Sequence, residues 1–292
     1  MQIAIYGRTL PTEYTADVFS LLKELDKNGI QAHLYKALSS QYPQVAAQFP
    51  HMKIFDSAKD LNSNIDFLMS LGGDGTILDA VTLVQNRGIP ILGVNFGRLG
   101  FLTGTDKENF SLALNDLISG NYSIDQRTLL HLDASTPLFG GLPFALNDFT
   151  ITKRDIDPMV TIHTFLNGEY INSYYADGLI VSTPTGSTGY NISCNGPILF
   201  PNSASFVITP IAPHHLNTRP LIVPDSSVIS FEIDSRSSKI ICALDARRKL
   251  VASNIKLAVQ KENFIIKLVR FKENSFLSTL RNKLSWGIDK RN

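Results

Sequence analysis

The run Leu68-Met69-Ser70-Leu71-Gly72-Gly73-Asp74-Gly75-Thr76-Ile77-Leu78 decides how this chain folds. Apolar residues lead into a carboxylate set between glycines, and an apolar-periodic segment follows at once. That pattern reads as buried strand, tight turn and helix. Glycines lack the Cβ atoms that would hold a phosphate-bearing ligand away from the backbone. The helix opening after the turn presents unpaired N–H groups and a partial positive charge, which suits anions. A lone acid in such a turn does not bind phosphate itself, because like charges repel. Three roles fit it: holding a metal ion, hydrogen-bonding a sugar hydroxyl, or taking a proton from one.

On the N-terminal side of this turn, residues 2–6 read as a buried strand ending at Gly7. Val18, Leu21, Leu22 and Leu25 recur at helical spacing, Asn28-Gly29 supplies a stop, and residues 30–34 form a second strand. Residues 39–50 carry no decisive pattern. Beyond the turn, Ile77, Leu78, Val81 and Val84 mark a helix that ends before Gly88 and Pro90, and residues 89–94 make another strand. Strand and helix alternate, which predicts a parallel sheet covered by helices, with ligands at the carboxyl ends of the strands. Asp74 stands at such an end.

After Phe101 the texture changes. Thr105-Asp106-Lys107-Glu108 reads as a capping box, followed by a stripe of Phe110, Leu114, Leu117 and Ile118 up to Gly120. From Ser123 onward, short β-branched and aromatic runs dominate, and Asn167-Gly168 between two of them predicts a hairpin. This part reads as an antiparallel β domain. Phe276, Leu277, Leu280 and Leu284 form a last helical stripe, expected to return to the first domain. The expected division is 1–102, 103–274 and a terminal helix over 275–292.

Composition narrows the class. Of 292 residues, 43% are hydrophobic and 18% charged, which places the chain among globular proteins. A net charge of +1 without a long basic run gives no electrostatic reason to expect nucleic acid. No apolar stretch approaches a membrane span. Cys194 and Cys242 lack metal-ligand spacing and are too few for a disulfide framework, so a reducing cytoplasm is expected. Met1-Gln2-Ile3-Ala4-Ile5 reads directly as a strand, without a charged leader.

Neither a Gly-x-Gly-x-x-Gly fingerprint nor a Walker A lysine loop is present. Two further segments carry candidate chemistry. Asn95-Phe96-Gly97-Arg98-Leu99-Gly100-Phe101-Leu102 reads either as a ligand loop or as a domain crossing with ordinary turn glycines. Asp177-Gly178-Leu179-Ile180-Val181-Ser182-Thr183-Pro184-Thr185-Gly186-Ser187-Thr188-Gly189-Tyr190 runs a strand into crowded hydroxyls and glycines. Such a cluster offers a nucleotide backbone amides, short donors and a stacking ring. Ser193-Cys194-Asn195-Gly196-Pro197 extends it. His214-His215 read as surface groups, and Lys153-Arg154 and Arg247-Arg248 read either as solvated faces or as groups that meet phosphates.

The Gly-Gly-Asp-Gly-Thr run resembles the signature shared by NAD kinases, diacylglycerol and sphingosine kinases and, more loosely, 6-phosphofructokinases. With 95–102 and 177–190 following in order, the chain looks like an NAD kinase. The lipid kinases share the first motif, not the other two in this form. The resemblance implies a Rossmann-like N-terminal domain, a C-terminal β-sandwich, and transfer of the ATP γ-phosphate to the adenosine 2′-hydroxyl of NAD⁺, with Mg²⁺ accompanying ATP. Asp74 matches the family's catalytic aspartate and Gly75 its neighbour in substrate contact. Asp177 matches an acid that recognises the dinucleotide. Thr188, Gly189, Tyr190, Asn191, Ile192 and Ser193 match the segment lining the substrate pocket, with Gly189 in place of the usual alanine. Asn147-Asp148 stands where members usually show Asn-Glu, so the acid here is one methylene shorter. Asp245-Ala246-Arg247 stands where many show an acid, a small residue and glutamine. Arg247, Phe101 and Ala212 complete the expected substrate contacts. A homodimer or homotetramer is implied as well. The alternatives are a lipid or sugar kinase with the same glycine turn, whose acceptor pocket should be greasy or small, and a non-catalytic dinucleotide sensor, against which the intact Asp74 argues.

Overall fold

Short apolar runs in the first part of the chain become strands of a parallel sheet. In this computed structural model, which describes residues 1–97, 100–154, 156–272 and 275–286, they alternate with helices. The order is β1 (Gln2–Gly7), α1 (Thr15–Lys27), β2 (Gln31–Tyr35), α2 (Lys36–Gln41), α3 (Gln44–Gln48), β3 (Lys53–Phe55), β4 (Phe67–Leu71), α4 (Asp74–Val84), β5 (Ile91–Asn95), β6 (Thr105–Asp106) and α5 (Phe110–Ser119). The strands lie in the order β3-β2-β1-β4-β5, with every pair parallel. This is the order of a doubly wound sheet, whose crevice opens at the carboxyl ends where the winding reverses, between β1 and β4. There Gly7 sits opposite Leu71, one residue before the glycine turn. All five residues of β4 and of β5 are buried, as a parallel sheet covered on both faces requires.

α1 buries Val18, Leu21, Leu22 and Leu25, the four residues whose spacing predicts it. Residues 39–50 fall in α2, α3 and their flanks, with Leu38 and Val45 buried. The capping box predicted at Thr105–Glu108 does not form. Thr105 and Asp106 pair with Val94 and Asn95 as β6, which holds their backbone extended. Asp106 Oδ1 instead accepts the Asn109 N–H at 2.8 Å, and α5 begins at Phe110.

The second part pairs its strands antiparallel, except where the end of the last one runs parallel to β5. It contains β7 (Ser123–Ala134), β8 (Phe144–Ala145), β9 (Asp148–Thr152), β10 (Val160–Leu166), β11 (Glu169–Ala176), β12 (Gly178–Ser182), the single turn α6 (Tyr190–Ser193), β13 (Ser205–Ile211), β14 (Leu221–Pro224), β15 (Ile229–Asp234), β16 (Lys239–Leu244), β17 (Arg247–Ala252) and β18 (Leu257–Arg270); α7 (Phe276–Leu284) follows. One sheet runs β14-β13-β12-β9-β16-β17, and the other contains β11-β10-β15-β18. Their inner faces share one apolar cluster that includes Phe149, Ile162, Phe206, Phe231 and Leu257. The Phe149 and Phe231 rings, from opposite sheets, lie 5.9 Å apart. A β-sandwich results. Asn167 and Gly168 both take positive φ, 53° and 86°, the geometry of the tight hairpin turn between β10 and β11.

The chain divides into two compact units, 1–126 with the segment from 266 onward, and 127–265. The change of texture after Phe101 does not mark that division. Phe110, Ala113, Leu114 and Leu117 of α5 are buried in the apolar cluster of the first unit, so α5 belongs there. The end of β18 also joins this unit, with Leu268 beside Ile91 and Val269 in the same cluster. α7 falls in the first unit, but the stripe expected of it is only partly buried: Leu280 is 4% exposed and Leu277 48%. The expected extension of this helix past 286 lies outside the described residues, as do Arg98 and Leu99 of the second motif.

Candidate active site

In the first unit the glycine turn puts Asp74 at the first residue of α4. Gly72 takes φ +141°, and a Cβ there would lie 2.4 Å from Thr76 Oγ1, so this position demands glycine. Both Asp74 oxygens accept backbone hydrogen bonds from the segment after β5. The Phe101 N–H donates to Oδ2 at 2.8 Å, and the Leu102 N–H donates to Oδ1 at 3.0 Å. A Cβ on Gly100 would stand 1.8 Å from Asp74 Oδ1, so the loop passes the carboxylate at a distance only glycine permits. A carboxylate has about four lone-pair sites. Two fixed donors set its orientation and leave acceptor capacity for one more proton donor. Asn95 braces the same loop, its amide exchanging bonds of 3.0 and 3.2 Å with Gly97. Gly75 is exposed in the first turn of α4, with open space where a Cβ would project. Phe101 thus contributes its amide to Asp74.

In the second unit, Asn147, Asp148 and the 183–196 segment come together. The Asn147 carbonyl accepts the Thr183 N–H at 2.9 Å, and a Cβ on Gly186 would stand 2.1 Å from that oxygen. Gly189 lies beside Asn147 Nδ2. Asn147 Oδ1 is buried without a hydrogen-bond partner among the described residues. Asn191 is fully buried, and its amide is committed internally. Its Nδ2 donates to the Ser187 and Pro197 carbonyls, both at 2.9 Å, and its Oδ1 accepts from Thr209 Oγ1 at 2.6 Å. Asn191 therefore shapes the segment by tying its turns together. Thr188, Gly189 and Ile192 are half-buried and Ser193 is exposed. Tyr190 is 45% exposed, a ring free to stack.

Asp245 organises this group. It sits at φ +53° between β16 and β17, and its carboxylate accepts the N–H groups of Leu146 (3.0 Å), Asn147 (2.7 Å) and Asp148 (3.3 Å). Arg247 turns to the other side of this junction. It donates to the Leu142 carbonyl at 2.8 Å and to that of Phe144, and stacks near the Phe139 and Phe144 rings. These bonds give Arg247 a structural role in holding residues 139–144.

Asp177 and Ala212 form a separate group at the opposite end of β12. Asp148 pairs with Ser182, whereas Asp177 precedes Gly178, which pairs with Thr152. At about 3.3 Å per residue, the length of β12 separates the two acids. The Asp177 N–H donates to the Ile211 carbonyl at 3.0 Å, and its carboxylate lies 3.5 Å from Lys153 Nζ. Ala212, next to Ile211, is exposed at φ +44°.

Burial, with the Asp245 charge adding to it, pushes the Asp148 carboxyl up to about 7. Burial pushes the Asp245 carboxyl up as well, against the N–H groups that favour its charge. In an unfolded chain an aspartate titrates near 3.9. Between these values the folded state binds the extra proton, so this contribution to stability is full below about pH 4 and lost as pH rises towards 7, by at most about 1.4 kcal/mol per unit. Asp148→Asn removes the titration. Its melting temperature should rise relative to wild type as pH goes from 5 to 8, and parallel melting curves for the two proteins would contradict the burial of this charge.

Sequence reasoning missed three contributors: Gly100 as the close-approach residue, Asp245 as the acceptor for three N–H groups, and Arg270. Arg270 donates to the carbonyls of Phe101 and Thr103, both at 2.8 Å. Gly100 stood in a motif, but only geometry shows what it avoids. Arg270 carried no local signal.

A glycine-turn carboxylate at the switch point of a doubly wound sheet, with a hydroxyl-rich segment on a β-sandwich, defines a phosphotransferase of the α/β plus all-β class. Family models agree: ATP-NAD kinase N-terminal domain matches residues 26–122 and ATP-NAD kinase C-terminal domain residues 146–270. The chain belongs to the NAD kinase family. It is 46% identical to the NAD kinase of Cytophaga hutchinsonii and 44% identical to that of Flavobacterium psychrophilum, covering 100% of both chains in each case. Among solved structures, an NAD kinase from Archaeoglobus fulgidus in complex with ATP is 25% identical with a TM-score of 0.76, over 98% of this chain and 99% of that one. Yeast NADH kinase complexed with NADH superposes with a TM-score of 0.88 at 23% identity, over 99% of this chain and 88% of that one, a likeness of fold.

Proposed function

We infer that the chain is an NAD kinase, transferring the γ-phosphate of ATP to the adenosine 2′-hydroxyl of NAD⁺. The observation that carries this reading is Asp74, aimed by two backbone amides at the open end of a doubly wound sheet. The 2′-oxygen forms a bond to the γ-phosphorus as the bond from phosphorus to the ADP oxygen breaks. The hydroxyl proton passes to the free lone pair of Asp74, and ADP leaves. A carboxylate is a weak base towards an alcohol, so it acts once transfer has begun to acidify that hydroxyl. Phosphoryl transfer otherwise asks the protein for positioning and charge stabilisation.

Among the described residues no group of three or more His, Cys, Asp or Glu is arranged to hold a metal ion. The divalent ion, Mg²⁺, is proposed to arrive with ATP as part of the substrate, neutralising the donor phosphates. Asn147, Asp148 and the 188–193 segment are assigned to the dinucleotide, with the unpartnered Asn147 Oδ1 as one acceptor. No helix among the described residues is long and apolar enough to cross a membrane. A cytoplasmic homodimer or homotetramer is the proposed form. The deciding assay is formation of NADP⁺ from NAD⁺ and ATP by purified protein; its absence would overturn this reading.

Asp177 is assigned to the same dinucleotide through its separate group. Losing one hydrogen bond to a charged group costs about 1.5–3 kcal/mol. Asp177→Ala should weaken NAD⁺ binding by roughly ten- to a hundredfold. Calorimetric titration with unchanged affinity would remove Asp177 from the site.

A further inference from the structure

We propose that Arg270 is a positioning residue for the catalytic carboxylate, acting through the loop that holds Asp74. This inference rests on the reading of Asp74 as the base. The guanidinium lies at the end of β18, with only 14% of the side chain exposed, and each of its edges is used. Nη2 donates to the Phe101 carbonyl and Nη1 to the Thr103 carbonyl, both at 2.8 Å, while Nε meets Asp125 Oδ2 at 3.3 Å. The Phe101 carbonyl shares its peptide with the Leu102 N–H, whereas the Thr103 carbonyl shares its peptide with the Gly104 N–H, which donates to the Gly93 carbonyl at 2.9 Å. The Phe101 N–H donates to Asp74, and the next amide, that of Leu102, donates to its other oxygen. A peptide is planar, so fixing the Phe101 carbonyl limits how far the Leu102 N–H can turn, and holding the Thr103 carbonyl anchors the chain just beyond it.

The loop is pressed onto the same strand. A Cβ on Gly104 would lie 2.8 Å from the Val269 carbonyl, one residue before Arg270. Arg270 therefore holds two carbonyls of the loop at once, which needs a rigid fork and not a single flexible ammonium. Its carbonyl, accepting from Ser123 Oγ at 3.3 Å, ties its own backbone to the start of β7. The chain of contacts from Asp125 through Arg270 and the loop to Asp74 stays within the first unit.

The test is kinetic and structural together. In Arg270→Lys, kcat should fall tenfold or more while KM for NAD⁺ and for ATP stays within threefold of wild type. Hydrogen exchange at the Phe101 and Leu102 amides should quicken at least tenfold. In an Asp74→Asn background the same change should cost less than threefold, because there is no base left to aim. A kcat within twofold of wild type, unchanged exchange at these amides, or an equal loss in both backgrounds would each overturn the proposal. Should Arg270→Lys fail to fold, Asp125→Asn loosens the third edge of the guanidinium and carries the same readouts, with a threefold fall in kcat expected and none overturning it. Failure of the underlying reading shows elsewhere: Asp74→Asn alone would then turn over at the wild-type rate.

Discussion

Asp74→Asn should lower kcat by about 10²–10⁴, the usual worth of general base catalysis. The amide is nearly isosteric with the carboxylate, and its oxygen can still accept one of the two N–H bonds from Phe101 and Leu102. The other N–H meets an NH₂ group, so one corner of the loop loses its acceptor. That cost falls on stability, as one hydrogen bond in a half-buried place, about 1 kcal/mol. The loss of the base falls on turnover. NAD⁺ binding, assigned to residues of the second unit, should change far less. Single-turnover measurements on folded variant protein, with affinity from calorimetry, separate these effects. Near-normal turnover would remove Asp74 from the catalytic role.

Much of this arrangement was legible because local physics fixed it. Apolar spacing placed α1, the glycine turn placed the start of α4, and Asn167-Gly168 placed the hairpin. What escaped was settled by pairing at a distance. β3 and β17 are edge strands whose residues are largely exposed: Lys53 and Ile54 in one, Arg248 and Lys249 in the other. Charged edges deter pairing with other chains, and for that reason they do not look like strands in sequence. In β18 the polar run Gln260-Lys261-Glu262-Asn263 parts the apolar residues of the two ends, which hides in sequence that the strand is continuous. The boundary at 126 was invisible for a related reason, since α5 looks the same whichever unit it packs on.

Site residues divide in the same way. The place of Asp74 at the head of α4 was readable from the glycines around it. Asp148 and its environment were not, because the neighbour that shifts it, Asp245, is far along the chain and takes its meaning from three N–H groups it accepts. Asn191 and Arg247 matched the family's substrate positions, yet their hydrogen bonds run to protein groups. A residue type and a position do not say where a side chain's donors are committed.

Gly100→Ala should be nearly as damaging as loss of the base, although it leaves every functional group in place. The added methyl would stand 1.8 Å from Asp74 Oδ1 and 2.4 Å from its Cγ, well inside contact distance. Two responses are open. The carboxylate can swing away from the Phe101 and Leu102 amides, or the loop can retreat and take those amides with it. The second is resisted by the Gly100 N–H bond to Thr103 Oγ1 at 3.2 Å and by Arg270 on the Phe101 and Thr103 carbonyls. Either way the carboxylate loses its aim by about an ångström, and a misplacement of that size can cost about 10²-fold in rate. The strain should also lower the melting temperature, in line with the 1–3 kcal/mol typical of overpacking. The expected result is a fall in kcat of roughly 10²-fold, with KM for NAD⁺ little changed. Gly97→Ala, where a Cβ would meet nothing within 4 Å among the described residues, is the matched control and should keep wild-type kinetics. Equal behaviour of the two variants would mean that the close approach of this loop to Asp74 does not set the geometry of transfer.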